Sequence, residues 1–270
     1  MHVLQNSADE NELRNALETA QLTNPAFIVV NGMRSTREPC TDRLYRQRTA
    51  LLESSTVPVI LSLAGDDWIP CRDKHNRPAP TAWLNLLRDQ MYGDISWSGG
   101  KHIPLRRQSA IAAFRNYAEN TRWTLENILF ATINVPANNN HYVASAGGNS
   151  EFEDRQIANR DWLHRLAIQA RRERKATIIL FCDGNPLPEP GRKIEQRDGY
   201  IEIRQQLKNL AEKSGAKVLV IQGPTTSTQK TSSNITWNGQ LAFVNLRAGM
   251  TMIAVDPSAE NSFAIVADEP

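Results

Sequence analysis

The sequence predicts a layered α/β fold with a mainly parallel sheet and an antiparallel C-terminal segment, and three observations predict it. Short, β-branched apolar runs at 26–30 and 57–63 flank a stretch of helical spacing, the strand-helix-strand order of a parallel sheet. Each run empties abruptly into a loop rich in Gly, Asn or Asp, which is where α/β proteins keep their chemistry. The runs at 241–246, 250–255 and 263–267 succeed one another with short turns, as antiparallel strands do. No linker or internal repeat divides the 270 residues, so a single domain over 1–270 is expected.

Taken in order, residues 2–5 leave room only for a stub of strand, and 9–23 read as a helix with Leu13, Ala16, Leu17 and Ala20 on one face. The strand at 26–30 runs out at Asn31-Gly32-Met33, and Thr41 or Asp42 caps a helix reaching about Glu53. The strand at 57–63 ends in Gly65-Asp66-Asp67-Trp68. Helical spacing recurs at 78–92 and 105–120, on either side of Gly99-Gly100. Residues 122–135 form a hairpin or long bent strand about Glu126-Asn127, ending in Pro136-Ala137-Asn138-Asn139-Asn140-His141. Gly147-Gly148-Asn149-Ser150 leads into a helix, with Ser150 and Glu153 at capping-box spacing. This turn lacks the Lys and Ser/Thr of a phosphate loop, so capping is its expected role. The strand at 177–181 exits through Cys182-Asp183, a helix over 200–213 stops at Gly215, and the strand at 217–222 exits through Gly223-Pro224-Thr225-Thr226. Residues 227–233 read as a polar loop, and Asn234-Ile235-Thr236 as a glycosylation sequon, relevant only to a protein secreted from a eukaryote.

With 31 Lys and Arg against 29 Asp and Glu, the balance of +2 supplies no broad field for nucleic acid or anionic lipid, and no nucleic-acid partner is expected. Two local basic clusters, at 101–107 and 171–175, read as solvated helix faces or ends. No run has the length of a membrane span, and the first residues lack the pattern of a secretory signal, so a soluble, untargeted protein is expected. Cys40 and Cys71 complicate this, because both lie in polar loops after strands that a parallel sheet would make neighbours. A Cys40 to Cys71 disulfide implies a periplasmic or secreted protein whose signal peptide is missing from this sequence, and two free thiols imply a cytoplasmic one. Cys182, in an apolar run with no evident His, reads as a small core thiol rather than a nucleophile. There is no Gly-x-Ser-x-Gly elbow and no Cys-x-x-Cys pair.

Two acids at a strand end, Asp66 and Asp67, suit a hard cation or acid/base work if other strand ends supply further ligands. Read together, the strand ends resemble the calcineurin-like metallophosphoesterases, and within them a divergent bacterial branch. The matching stretches are Val29-Val30-Asn31-Gly32-Met33 with Cys40-Thr41-Asp42, Gly65-Asp66-Asp67-Trp68 with Cys71, Asn138-Asn139, and Asn159-Arg160-Asp161-Trp162-Leu163. The resemblance covers almost the whole chain. It implies a four-layered α/β/β/α fold, mixed sheets flanked by helices, and phosphate-ester chemistry by two metals bridged by one Asp.

The ligands the resemblance calls for are mostly missing. Asn6 or Ser7 stands where the first strand should offer Asp, Met33 where the bridging Asp should stand, and Gly223-Pro224-Thr225-Thr226 where the last His motif should be. None of the five His falls where a ligand is expected. The first expectation is therefore an inactive or nearly inactive member of this fold with no cofactor, binding an unidentified ligand or protein partner in the old cleft or around Asn138 and Ser227. The second is a phosphoesterase with a rebuilt site, its catalytic candidates Asp66, Asp67 and Asn139, and Asp66, Asp67 and Asp183 holding one weakly bound Mg²⁺, Ca²⁺ or Mn²⁺. A structural or assembly protein is the third. Whether the chain is an enzyme is left open by its residues.

Overall fold

The computed structural model describes residues 1–5, 9–92, 103–145, 147–187, 197–223, 235–255 and 263–266. Two mixed sheets lie face to face, each covered on its outer side by helices. The first sheet takes β1 (His2–Gln5), β2 (Ile28–Asn31) and β3 (Val59–Ser62) in parallel and adds β11 (Gly249–Val255) and β12 (Phe263–Val266) antiparallel, in the order β12-β11-β1-β2-β3. The stub at residues 2–5 is thus the central strand. The second sheet runs β4 (Arg106–Arg107), β5 (Thr121–Leu125), β6 (Ile128–Thr132), β7 (Thr177–Phe181), β8 (Lys217–Gln222), β10 (Leu241–Asn245) and β9 (Thr236–Asn238), with β6, β7, β8 and β10 parallel.

Strand alternation divides the apolar residues between layers. Leu4, Val30 and Leu61 face α1 (Glu10–Leu22), α2 (Asp42–Glu53) and α3 (Pro80–Met91). Ile178, Leu180, Val218 and Val220 face α5 (Ser150–Arg172) and α6 (Ile201–Ser214). Val3, Val29 and Ile60 meet Phe130, Phe181 and Ile221 in the core between the sheets. The expected α/β/β/α layering is the observed one.

Caps follow local chemistry. Asp9 accepts from Glu12 N at 3.0 Å and Thr41 from Leu44 N at 3.2 Å, starting α1 and α2 where the side-chain oxygens satisfy orphan amides. Gly215 ends α6 at φ +72°, a conformation glycine adopts without steric cost. Cys40 and Cys71 are bridged, with Cα atoms 5.6 Å apart, because β2 and β3 pair in parallel and release their loops side by side. Closing a loop of sequence separation 31 contributes about 3–4 kcal/mol in the chain-entropy picture. Among the described residues no helix is long and apolar enough to cross a membrane.

Three expectations are corrected. The helical spacing at 105–120 folds instead as β4 and two short 3-10 turns, Gln108–Ala110 and Ala112–Phe114. The amides of Gln108 and Asn120 are the reason: Gln108 donates to Ala158 O at 2.8 Å and Asn120 to Gln108 Oε1 at 2.8 Å, holding the segment against α5 and beside β5. At the start of α5, Asn149 and not Ser150 is the cap, and its amide brackets Val143 N and O at 2.9 and 2.6 Å in place of a capping box. The last three strands do not form one meander, since β10 joins the second sheet while β11 and β12 cross to the first. Asn6, Ser7, the Gly99-Gly100 break, Thr225, Thr226 and the loop at 227–233 lie outside the described residues, as does Asn234 of the sequon.

Candidate functional site

The C-terminal ends of the parallel strands of both sheets open at one place, and their polar residues meet there. Alternation puts Gln5, Asn31 and Ser62 on the inner face in line with Val3, Val29 and Ile60. Asn31 Nδ2 donates to Gln5 Oε1 at 2.5 Å and reaches Cys182 O of the opposite sheet at 3.4 Å. Asn31 Oδ1 and Ser62 Oγ are buried without a hydrogen-bond partner among the described residues. The inner-face side chain at the end of β2 is therefore Asn31, while Met33, expected at the bridging position, is fully buried in the core under the helices.

The three candidate acids come together but serve different ends. Asp67 is wholly buried; its Oδ1 accepts from Met33 N at 2.9 Å and Arg34 N at 3.1 Å, and its Oδ2 from Ala64 N at 3.0 Å. Asp183 Oδ2 accepts from Gly65 N and Ala137 N, both at 2.8 Å, tying the β3, β6 and β7 exits together. Burial raises the carboxyl of each to about 6 against the pull of these amides, and the carboxylates raise one another: Asp183 acts on Asp67, and Asp66 on Asp183. Asp66 is half-buried and its carboxylate makes no hydrogen bond among the described residues. Its carbonyl instead receives the guanidinium of Arg34. Among the described residues no group of three or more His, Cys, Asp or Glu side chains is disposed to hold a metal ion. Cys182 is buried with its thiol against Gly184 O at 3.4 Å, and burial raises its pKa.

The Asn run is the least ordinary backbone in the protein. Asn138, Asn139, Asn140 and His141 have φ of +55°, +59°, +56° and +53°, so the turn α4 (Ala137–Asn140) is left-handed. Asn tolerates this region better than other side-bearing residues, which explains the residue type. Asn139 is not directed at the mouth: its amide donates to Arg197 O at 3.1 Å and accepts from Gly199 N at 2.8 Å. Gly199 is required there, because a Cβ would lie 2.2 Å from Asn139 O.

Sequence reasoning missed what holds this turn. Fully buried Arg155 donates to Asn140 Oδ1 at 2.5 Å and Asn140 O at 2.9 Å, and pairs with Glu151 at 2.7 Å. Burial alone would raise the Glu151 carboxyl, but the Arg155 charge and hydrogen bonds from His141 and Arg155 bring it down to about 2. His141 Nδ1 lies 3.3 Å from Glu151 Oε2, and its ring meets Trp68 edge-on with centroids 4.8 Å apart. The signal was the spacing of Glu151 and Arg155, one turn apart at the start of a helix. The Asn159 to Trp162 motif is likewise structural: Asn159 donates to Asn134 O at 2.8 Å and Trp162 to Thr132 O at 3.1 Å, fixing α5 to the exit of β6.

No protein-family model and no curated protein matches the sequence. Among solved structures, one described as "Structure of PhoD" is similar over 92% of this chain and 56% of that chain, with a TM-score of 0.55 and 14% sequence identity. The chain thus corresponds to just over half the length of PhoD. The likeness is one of fold: two mixed sheets flanked by helices, as in PhoD.

Proposed function

We propose that this phosphoesterase-fold protein does not hydrolyse phosphate esters by a two-metal mechanism and that the mouth between its sheets serves to bind a ligand or partner. The fit of the residues to a metal pair supports the reading. Such a pair needs a bridging carboxylate and several imidazole or carboxylate ligands converging on one point. Here the strand ends present Gln5, Asn31 and Ser62, while Asp67 and Asp183 are occupied by backbone amides. Those residues do not fit the pair. The observation that carries the reading is the burial of Asp67 under three N–H donors, which makes it a lock on the loops rather than a ligand.

One observation favours a second reading, a single weakly held Mg²⁺, Ca²⁺ or Mn²⁺: the unbonded Asp66 carboxylate lies close enough to Asp183 to raise its pKa. Elemental analysis of the purified protein, with turnover of a generic phosphate ester under Mn²⁺, decides between them. Substoichiometric metal and no turnover are expected. Stoichiometric metal with turnover abolished by Asp66→Ala overturns the first reading in favour of a rebuilt phosphoesterase. A structural or assembly role is selected instead if substitutions of Asn31 and Ser62 leave the cellular role intact.

A further inference from the structure

Arg106 of the first basic cluster and Arg172 of the second, far apart in the chain, meet at the β4–β5 edge of the second sheet. Arg106 of β4, Arg122 and Thr124 of β5, and Gln169, Arg172 and Glu173 at the end of α5 line a cavity of about 220 Å³ there. It shares no residue with the mouth. Arg122 is half-buried, its guanidinium 5.2 Å from the Trp162 ring centroid, and its Nε is out of contact with water and without a hydrogen-bond partner. Burial lowers its pKa first, and Arg106, Arg165 and Arg172 lower it further against the opposing charge of Glu173. Glu173, the acid lining the cavity, is shared among Arg172 at 3.3 Å, Lys175 at 4.0 Å and the Gln169 amide at 3.3 Å, and Arg165 pairs with Asp161 at 2.7 Å, so among the described residues Arg106 and Arg122 are left without an ion pair.

An unpaired guanidinium held among like charges and partly desolvated is costly in the free protein and is relieved by a doubly charged anion. The planar donor fork of arginine matches phosphate oxygens, and a strand and a helix end bring Arg122 and Arg172 to the lining of one cavity. We propose that this edge is a binding site for phosphate, either the free ion or the phosphate group of a small phosphorylated molecule, with Arg122 as its central ligand and Arg106 and Arg172 as its rim. The site is independent of what the mouth binds.

Calorimetric titration of the full chain with inorganic phosphate and with glycerol 1-phosphate, against sodium chloride at matched ionic strength, tests this. Saturable binding is expected, weakened at least about 10-fold by Arg122→Gln, the loss of one charge-assisted contact. Arg106→Gln should weaken it about 3-fold or more through the rim charge. Arg106 is exposed, so this second variant reports on the site even if the first is poorly folded. Arg160→Gln, exposed elsewhere on α5 and paired with Glu202, should leave binding unchanged. Tighter binding of the ester assigns the site to a phosphorylated small molecule, and equal or weaker binding to the free ion. Heat no greater than that of chloride, or binding untouched by both Arg122→Gln and Arg106→Gln, overturns the proposal.

Discussion

Asp67 and Arg122 are both charged side chains withdrawn from water, and their surroundings differ in kind. Three backbone amides surround the Asp67 carboxylate, each already aimed at it by the turns that follow β2 and β3. Three further arginines and one acid, Glu173, surround Arg122, and its Nε has no hydrogen-bond partner among the described residues. The first arrangement is complete within the chain; the second is complete only with something from outside. The comparison teaches that a candidate ligand site is recognised less by which charged residues are present than by whether the fold has already satisfied them. The sharpest way to break it is Asp67→Ala. Three buried N–H groups would lose their acceptor, at a cost of about 3–5 kcal/mol in urea unfolding. Arg122→Gln, measured without phosphate, should change stability by no more than about 1 kcal/mol, since it removes a repelled charge and no bond. Equal losses in the two variants would erase the distinction.

Asp183 sharpens the same contrast through pH. Its carboxyl is raised from 3.8 to about 6, first by burial, so the native state holds a proton that the unfolded chain has already lost in this range. The stability it contributes is whole below pH 3.8 and is lost as pH rises through about 6. Asp183→Asn keeps an oxygen for Gly65 N and Ala137 N but carries no charge. The variant should therefore match the wild type near pH 4 and exceed it by about 1–3 kcal/mol at pH 7, read as a rising difference in urea midpoint. Glu151 is shifted the other way, to about 2 from 4.5, so its contribution is present above 4.5 and lost only as pH falls towards 2. The two windows overlap only between 3.8 and 4.5. A variant less stable than wild type at pH 7 would mean that Asp183 needs its charge, as a cation ligand does.

Most helices were legible because they rest on local periodicity; the four layers followed from the family resemblance, and the Cys40 to Cys71 bridge, left open against two free thiols, rests on one parallel pairing, β2 with β3. The segment at 105–120 was not, because its conformation is set by hydrogen bonds from Gln108 and Asn120 to partners 12 and 50 residues away. The same limit applies at the mouth. Nothing in Asn31 alone says that it faces Cys182 O across the sheets, 151 residues on. The clusters at 101–107 and 171–175 each read as an ordinary solvated surface, and only the docking of α5 against β5 puts Arg106 and Arg172 around Arg122. Identity of residues at strand ends is visible in a sequence, whereas the partner that each side chain has already found is not.

The smallest expected effect concerns Asn138, the exposed residue of the left-handed turn, whose side chain makes no hydrogen bond among the described residues. A left-handed conformation costs an L-residue about 1–2 kcal/mol, less for Asn, and glycine escapes it but loses more chain entropy on folding. Asn138→Gly should accordingly stabilise by only about 0.5 kcal/mol, a small rise in thermal midpoint. The same change at Asn140 should destabilise severely, because it strips Arg155 of an acceptor at 2.5 Å and leaves Gly199 O only the longer contact from the Gln156 amide at 3.5 Å. Within one run of three asparagines, then, position 138 is held by backbone preference and position 140 by its contacts. A loss of ligand binding in Asn138→Gly with stability intact would instead place that exposed amide in the recognition surface of the mouth.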